Sequence, residues 1–99
     1  MNNKEALDIL AQWLETYRRR SYTELSALID VPKVTVEIEG PSHVKYQVEI
    51  QVFWDSKKGG NVRVFGAVDD GGWRAWFPLS DSFIMSPSGS FVGLVHPDA

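Results

Sequence analysis

The spacing of apolar residues changes period once along the chain, near Val31-Pro32. Before that point Ala6, Leu7, Ile9, Leu10, Trp13, Leu14 and Tyr17 recur every three or four positions, which predicts a helix with a wide buried face. Asn2 or Asn3 can cap its start, because a short side-chain oxygen there accepts from a free backbone N–H of the first turn. Ser21-Tyr22-Thr23-Glu24 has capping-box spacing and is followed by Leu25, Leu28 and Ile29, which predicts a second, shorter helix. Pro32 ends it, since proline has no N–H to donate and pushes Val31 towards extended backbone.

From Val34 the period becomes two. Val34, Val36 and Ile38 alternate with Thr35, Glu37 and Glu39, and Gly40-Pro41-Ser42 supplies a turn. Val44, Tyr46, Val48, Ile50, Val52 and Trp54 then alternate with Lys45, Gln47, Glu49, Gln51, Phe53 and Asp55, a long strand with one apolar face. Val62, Val64, Gly66 and Val68 continue the pattern after a loop at Lys58-Gly59-Gly60. Asp70-Gly71 has the composition of a two-residue hairpin turn leading into Trp73–Phe77, and Ser86-Pro87-Ser88-Gly89 that of a type I turn joining Phe83-Ile84-Met85 to Phe91-Val92. These elements predict a single α+β domain over residues 1–99, with a helical segment at 1–30 and antiparallel strands over 33–95. One or two N-terminal helices pack on a curved meander of four to six strands.

Register follows from matching apolar faces, because a slip of one residue sends a whole set to the other side. A two-residue turn at Asp70-Gly71 sets Val68 opposite Trp73, Gly66 opposite Ala75 and Val64 opposite Phe77. A three-residue loop at Lys58–Gly60 sets Ile50 opposite Val68, Val52 opposite Gly66 and Trp54 opposite Val64. On the reverse face Phe53, Phe65 and Trp76 then form one row across three strands. Gln51, Ala67 and Arg74 form the next, Glu49 meets Asp69, and Asp55 pairs with Arg63. Three large aromatics turned away from the helices mark a surface that something should cover. The cover is the last hairpin, Phe83–Leu94, folded back across it, or a protein partner, or a ligand stacked on Trp76.

Composition narrows the chemistry. Ninety-nine residues carry no cysteine, which excludes disulfides, thiolate nucleophiles and cysteine-ligated zinc, and fits a reducing compartment. The first residues are polar and no stretch reaches the ~20 apolar residues of a membrane span, so a soluble, cytoplasmic protein is expected. A net charge of -3 argues against nucleic acid as the partner. Asp69 and Asp70 provide two acids beside a tight turn, too few oxygens for a calcium loop, so no metal and no cofactor is expected. Arg18-Arg19-Arg20 ends the first helix, where cations offset the negative pole of its dipole. His43 and His96 have no carboxylate or serine placed beside them by spacing, and no sequence motif pairs a nucleophile with a base.

Tyr46–Asp55, Val64–Trp76 and Pro78-Leu79-Ser80 together resemble a group of small uncharacterised bacterial proteins, and the likeness spans Tyr22 to Gly93. That resemblance implies an α+β domain of unknown function and brings no activity, catalytic residue or binding residue with it. A helix followed by a curved meander is also similar to cystatin-like architectures, a likeness of fold alone. The residues themselves favour a non-enzymatic interaction module, a homodimer or a binder of another protein, using Phe53, Phe65, Trp76, Arg63 and Arg74. The alternative is a ligand or enzymatic pocket between sheet and helices, with Glu49, Asp69 and Arg74 as its polar groups.

Overall fold

The computed structural model describes residues 2–72 and 78–93. Its first helix, α1 (Asn3–Arg18), opens at Asn2, whose side chain accepts the Glu5 N–H at 3.0 Å. The helix buries Ala6, Ile9, Leu10, Leu14 and Tyr17, while Leu7, on the edge of the apolar stripe, stays exposed. The second helix, α2 (Tyr22–Ser26), is a single turn fixed by both halves of its capping box. Glu24 N–H donates to Ser21 Oγ at 3.1 Å and Ser21 N–H donates to Glu24 Oε1 at 3.0 Å. Those bonds to Ser21 hold the Glu24 carboxyl below its usual value, with the nearby Arg20 charge adding to them.

Five strands follow: β1 (Val34–Glu39), β2 (Lys45–Trp54), β3 (Val62–Asp69), β4 (Leu79–Met85) and β5 (Phe91–Val92). They form one antiparallel sheet in sequence order, an α+β architecture in which each strand pairs with the next. Helix α1 lies against β3 and β4, and α2 against β2 and β3. Tyr22 Oη donates to the Gly60 carbonyl at 2.7 Å, fastening α2 to the connection between β2 and β3. The core lies between helices and sheet, where Tyr46, Val48, Val62, Val64 and Val68 have no exposed surface. No helix among the described residues is long and apolar enough to cross a membrane.

Gly66 decides how closely α1 approaches. A Cβ there would stand 2.6 Å from Leu10 Cδ1 and 3.2 Å from Leu14 Cδ2, so the helix occupies space that only glycine leaves free.

Two expected registers are corrected. The connection after β2 is longer than three residues: Asp55 N–H donates to the Asn61 carbonyl at 2.8 Å, with a further turn inside it from Gly60 N–H to the Lys57 carbonyl. Val48 therefore stands opposite Val68, Ile50 opposite Gly66, Val52 opposite Val64 and Trp54 opposite Val62. The shift is two residues, so every side chain keeps its face. The partner of β3 is also not Trp73–Phe77. Val68 pairs with Leu79, Gly66 with Asp81 and Val64 with Phe83. This later segment puts Phe83 and Met85 into the core, and the Arg18 guanidinium caps the Phe83 ring at 5.0 Å. Asp70-Gly71 bends the chain, with Gly71 at φ 81°, and the strand that pairs with Val62–Val68 of β3 begins at Leu79. The β4–β5 hairpin turns at Ser86–Gly89 as expected, Gly89 N–H donating to the Ser86 carbonyl at 2.8 Å.

Candidate functional site

Alternation along the strands gives the sheet a second face that carries no helix among the described residues. Pairing places Gln51, Phe65 and Ser82 in one row across it, and Phe53, Arg63, Ile84 and Val92 in the next. Phe53 and Phe65 are thus diagonal neighbours, not the directly opposed pair expected from a three-residue loop. Their Cβ atoms are within roughly 8 Å, close enough for large side chains to form one patch. Phe53 is 36% exposed and Phe65 37%.

The last hairpin does not cover these rings: its described residues extend the sheet as β4 and β5, in plane with the other strands. It adds to the patch instead, because Ile84 and Val92 come out on the same face. Neither was expected there. The signal was present in the parity of Leu79–Met85, since turning Phe83 and Met85 inward turns Ser80, Ser82 and Ile84 outward.

Arg63 interrupts the apolar patch and is held in place from both sides. Its Nε and Nη2 both lie 2.9 Å from Asp55 Oδ1, and its Nη1 donates to Ser82 Oγ at 2.8 Å. Both members of the ion pair are part-buried, and the guanidinium ties the end of β2 to β4 across β3. Its charge is compensated locally, so the patch offers shape and apolar area before charge.

The acidic positions fall elsewhere. Glu49 is opposite Ala67, not Asp69, and takes Lys33 Nζ at 3.3 Å across an exposed pair. Asp69 is opposite Gln47 and its Oδ1 accepts the Gly71 N–H at 2.7 Å, while Asp70 Oδ1 accepts the Gly72 N–H at 3.2 Å. Both aspartates serve the turn that follows β3, the arrangement their side chains commonly adopt beside glycine. Glu49 and Asp69 lie on the helix-free face, so they do not line a pocket between sheet and helices. Arg74 and Trp76 lie outside the described residues.

His43 closes the β1–β2 turn with φ 66°, and its Nδ1 is 3.3 Å from Glu39 Oε2, both side chains exposed. Ser86, Ser88 and Ser90 hydroxyls bond one another within their own turn. Among the described residues no group of three histidines or carboxylates is placed to hold a metal ion. The geometry of the helix-free face stands without a relative to interpret it: the chain matches no protein-family model, no curated protein and no solved structure.

Proposed function

We propose that this protein is a non-enzymatic interaction module that binds a protein partner, in the first instance a second copy of itself, through the helix-free face of its sheet. The observation that carries the reading is the pair Phe53 and Phe65, more than a third exposed on an antiparallel sheet with Ile84 and Val92 extending the same surface. Aromatic side chains on a preformed surface bind at small entropic cost and dominate interface energetics.

The size of the face is that of a protein-binding surface. Strands spaced about 4.8 Å apart and rising about 3.3 Å per residue give such a face on the order of 500 Å² in plan, before side-chain relief is counted. A standard interface takes about 800 Å² of accessible surface from each partner. Ser82 and Ser80 take the positions opposite Phe65 and Ala67 that the expected pairing gave to Trp76 and Arg74, so the proposal rests on Phe53, Phe65, Ile84 and Val92. A cytoplasmic location is part of it too, supported by a composition without cysteine.

Sedimentation equilibrium over about 1 μM to 1 mM tests the reading, with native protein beside a Phe53→Ala, Phe65→Ala double variant. The expected result is a concentration-dependent dimer in the native chain, weakened at least ~10-fold in the variant, with the far-ultraviolet circular dichroism unchanged. A native chain that stays monomeric throughout, or a dimer indifferent to the double substitution, overturns it.

A further inference from the structure

On the opposite side of the molecule the two helices cover β2, β3 and β4 but leave β1 partly bare. Val34, at the start of that edge strand, is 40% exposed on its core-facing side, and Val31 in the preceding segment is 50% exposed. A cavity of about 140 Å³ opens there, between the C-terminal end of α1, the segment after α2 and the edge of the sheet. Its floor is Ile50 and Val52, both almost fully buried, and Tyr17, Leu28 and Val31 wall it. Strand β1 ends its pairing at Val34–Ile50 while β2 runs on to Trp54, so the sheet edge beside the cavity has no strand neighbour among the described residues.

Two cations stand at this apolar opening, Arg20 and Lys33. Lys33 already faces Glu49 at 3.3 Å. Arg20 makes no ion pair within 4.0 Å among the described residues; its guanidinium is stacked on the Tyr17 ring at 4.8 Å, which holds it at the rim. Glu24 feels the Arg20 charge, but its carboxylate is engaged by the Ser21 N–H.

We infer that this cavity is a binding site for a small apolar monocarboxylate, its ring or branched chain inside and its carboxylate on Arg20. An apolar engineered cavity of about 150 Å³ accommodates one benzene ring, which sets the size of the apolar part. A guanidinium fork matches a carboxylate in a two-bond geometry, and Arg20 has no ion-pair partner within 4.0 Å among the described residues to occupy that fork. The site is on the opposite face from the aromatic patch, so it stands or falls independently of the proposed self-association.

The test is a titration of 15N-labelled protein with sodium phenylacetate, with phenylacetamide as the neutral isostere and acetate as the ring-free anion. Saturable amide shifts are expected at Val31, Val34, Gln51 and Val52, with a dissociation constant near or below about 1 mM for so small a ligand. Phenylacetamide and acetate should each bind at least ~10-fold more weakly. Arg20→Gln should weaken phenylacetate by about 10-fold and leave phenylacetamide unchanged, and Val34→Phe should block both by occupying the opening. Arg20 is exposed, so its substitution leaves the fold intact and separates binding from folding. The inference is overturned by no saturable shift up to about 20 mM, by shifts that map away from these residues, or by equal binding of acid and amide.

Discussion

The Tyr46 ring is fully buried beneath the β1–β2 turn, yet its hydroxyl finds no partner at hydrogen-bond distance among the described residues. Burial, and after it the nearby Glu5 carboxylate, push the phenol above its ordinary value, with Asp70 adding to them; the neighbouring Ser42 side chain and Asn2 backbone pull the other way. A phenol whose folded value is raised contributes stability that is fully present below the unfolded value near 10 and is lost as the pH rises through the folded one. Tyr46→Phe keeps the packed ring and removes a polar atom without a partner. It should leave stability at neutral pH unchanged or raise it by about 1 kcal/mol, and it should shrink the loss of stability seen above pH 10. Urea melts of both proteins at neutral and alkaline pH check this, and a loss of more than ~1 kcal/mol at neutral pH would show that the hydroxyl is satisfied after all. Strand alternation is enough to turn Tyr46 inward from the sequence alone. Whether its oxygen meets a partner depends on how α1 and the Gly40–His43 turn meet, which no local pattern encodes.

At the scale of elements, local rules located the helix starts and the faces of the strands, and they failed on the lengths of connections. The capping box at Ser21 and the cap at Asn2 form as spelled out by residue type, because each is completed within four residues. The β2–β3 register slipped by two because Lys58-Gly59-Gly60 announces a turn without fixing how many residues flank it. Turn chemistry at Asp70-Gly71 points to Trp73–Phe77 as the partner of β3, whereas the choice is made by Phe83 and Met85 filling the space beneath α1. Gly66 is where helix and sheet constrain each other most. Its Cβ position is 2.6 Å from Leu10 Cδ1 and 3.1 Å from Ile50 Cδ1, and Leu10, with no exposed surface, can yield only by disturbing other core side chains. Gly66→Ala should therefore destabilise the protein by about 1–3 kcal/mol, despite the few tenths gained by stiffening the unfolded chain. Leu10→Ala alone should cost about 2–5 kcal/mol, and the two together less than their sum, since the smaller side chain makes room for the new methyl. Strict additivity in equilibrium unfolding would mean that α1 is not held against β3 at this point.

Across the whole molecule, one sheet presents two faces with different obligations, and substitutions on them should separate cleanly. The inner face is closed by α1 and α2, so removing a buried side chain there leaves a hole. Val64→Ala, at a position with no exposed surface, should cost about 1–3 kcal/mol in a urea melt. On the helix-free face Phe53 and Phe65 remain more than a third exposed, and at protein concentrations too low for association each alanine substitution should cost less than about 1 kcal/mol. The difference between faces should narrow as concentration rises, because a dimer that covers the patch adds its binding energy to the folded state alone. Phe65→Ala would then lose stability relative to the native chain only in concentrated solution, while Val64→Ala would lose the same amount at every concentration. A Phe65→Ala penalty of ~3–5 kcal/mol in dilute solution would mean that the ring is covered within its own chain. The dilute-solution melt therefore distinguishes a surface open to a partner from one already filled.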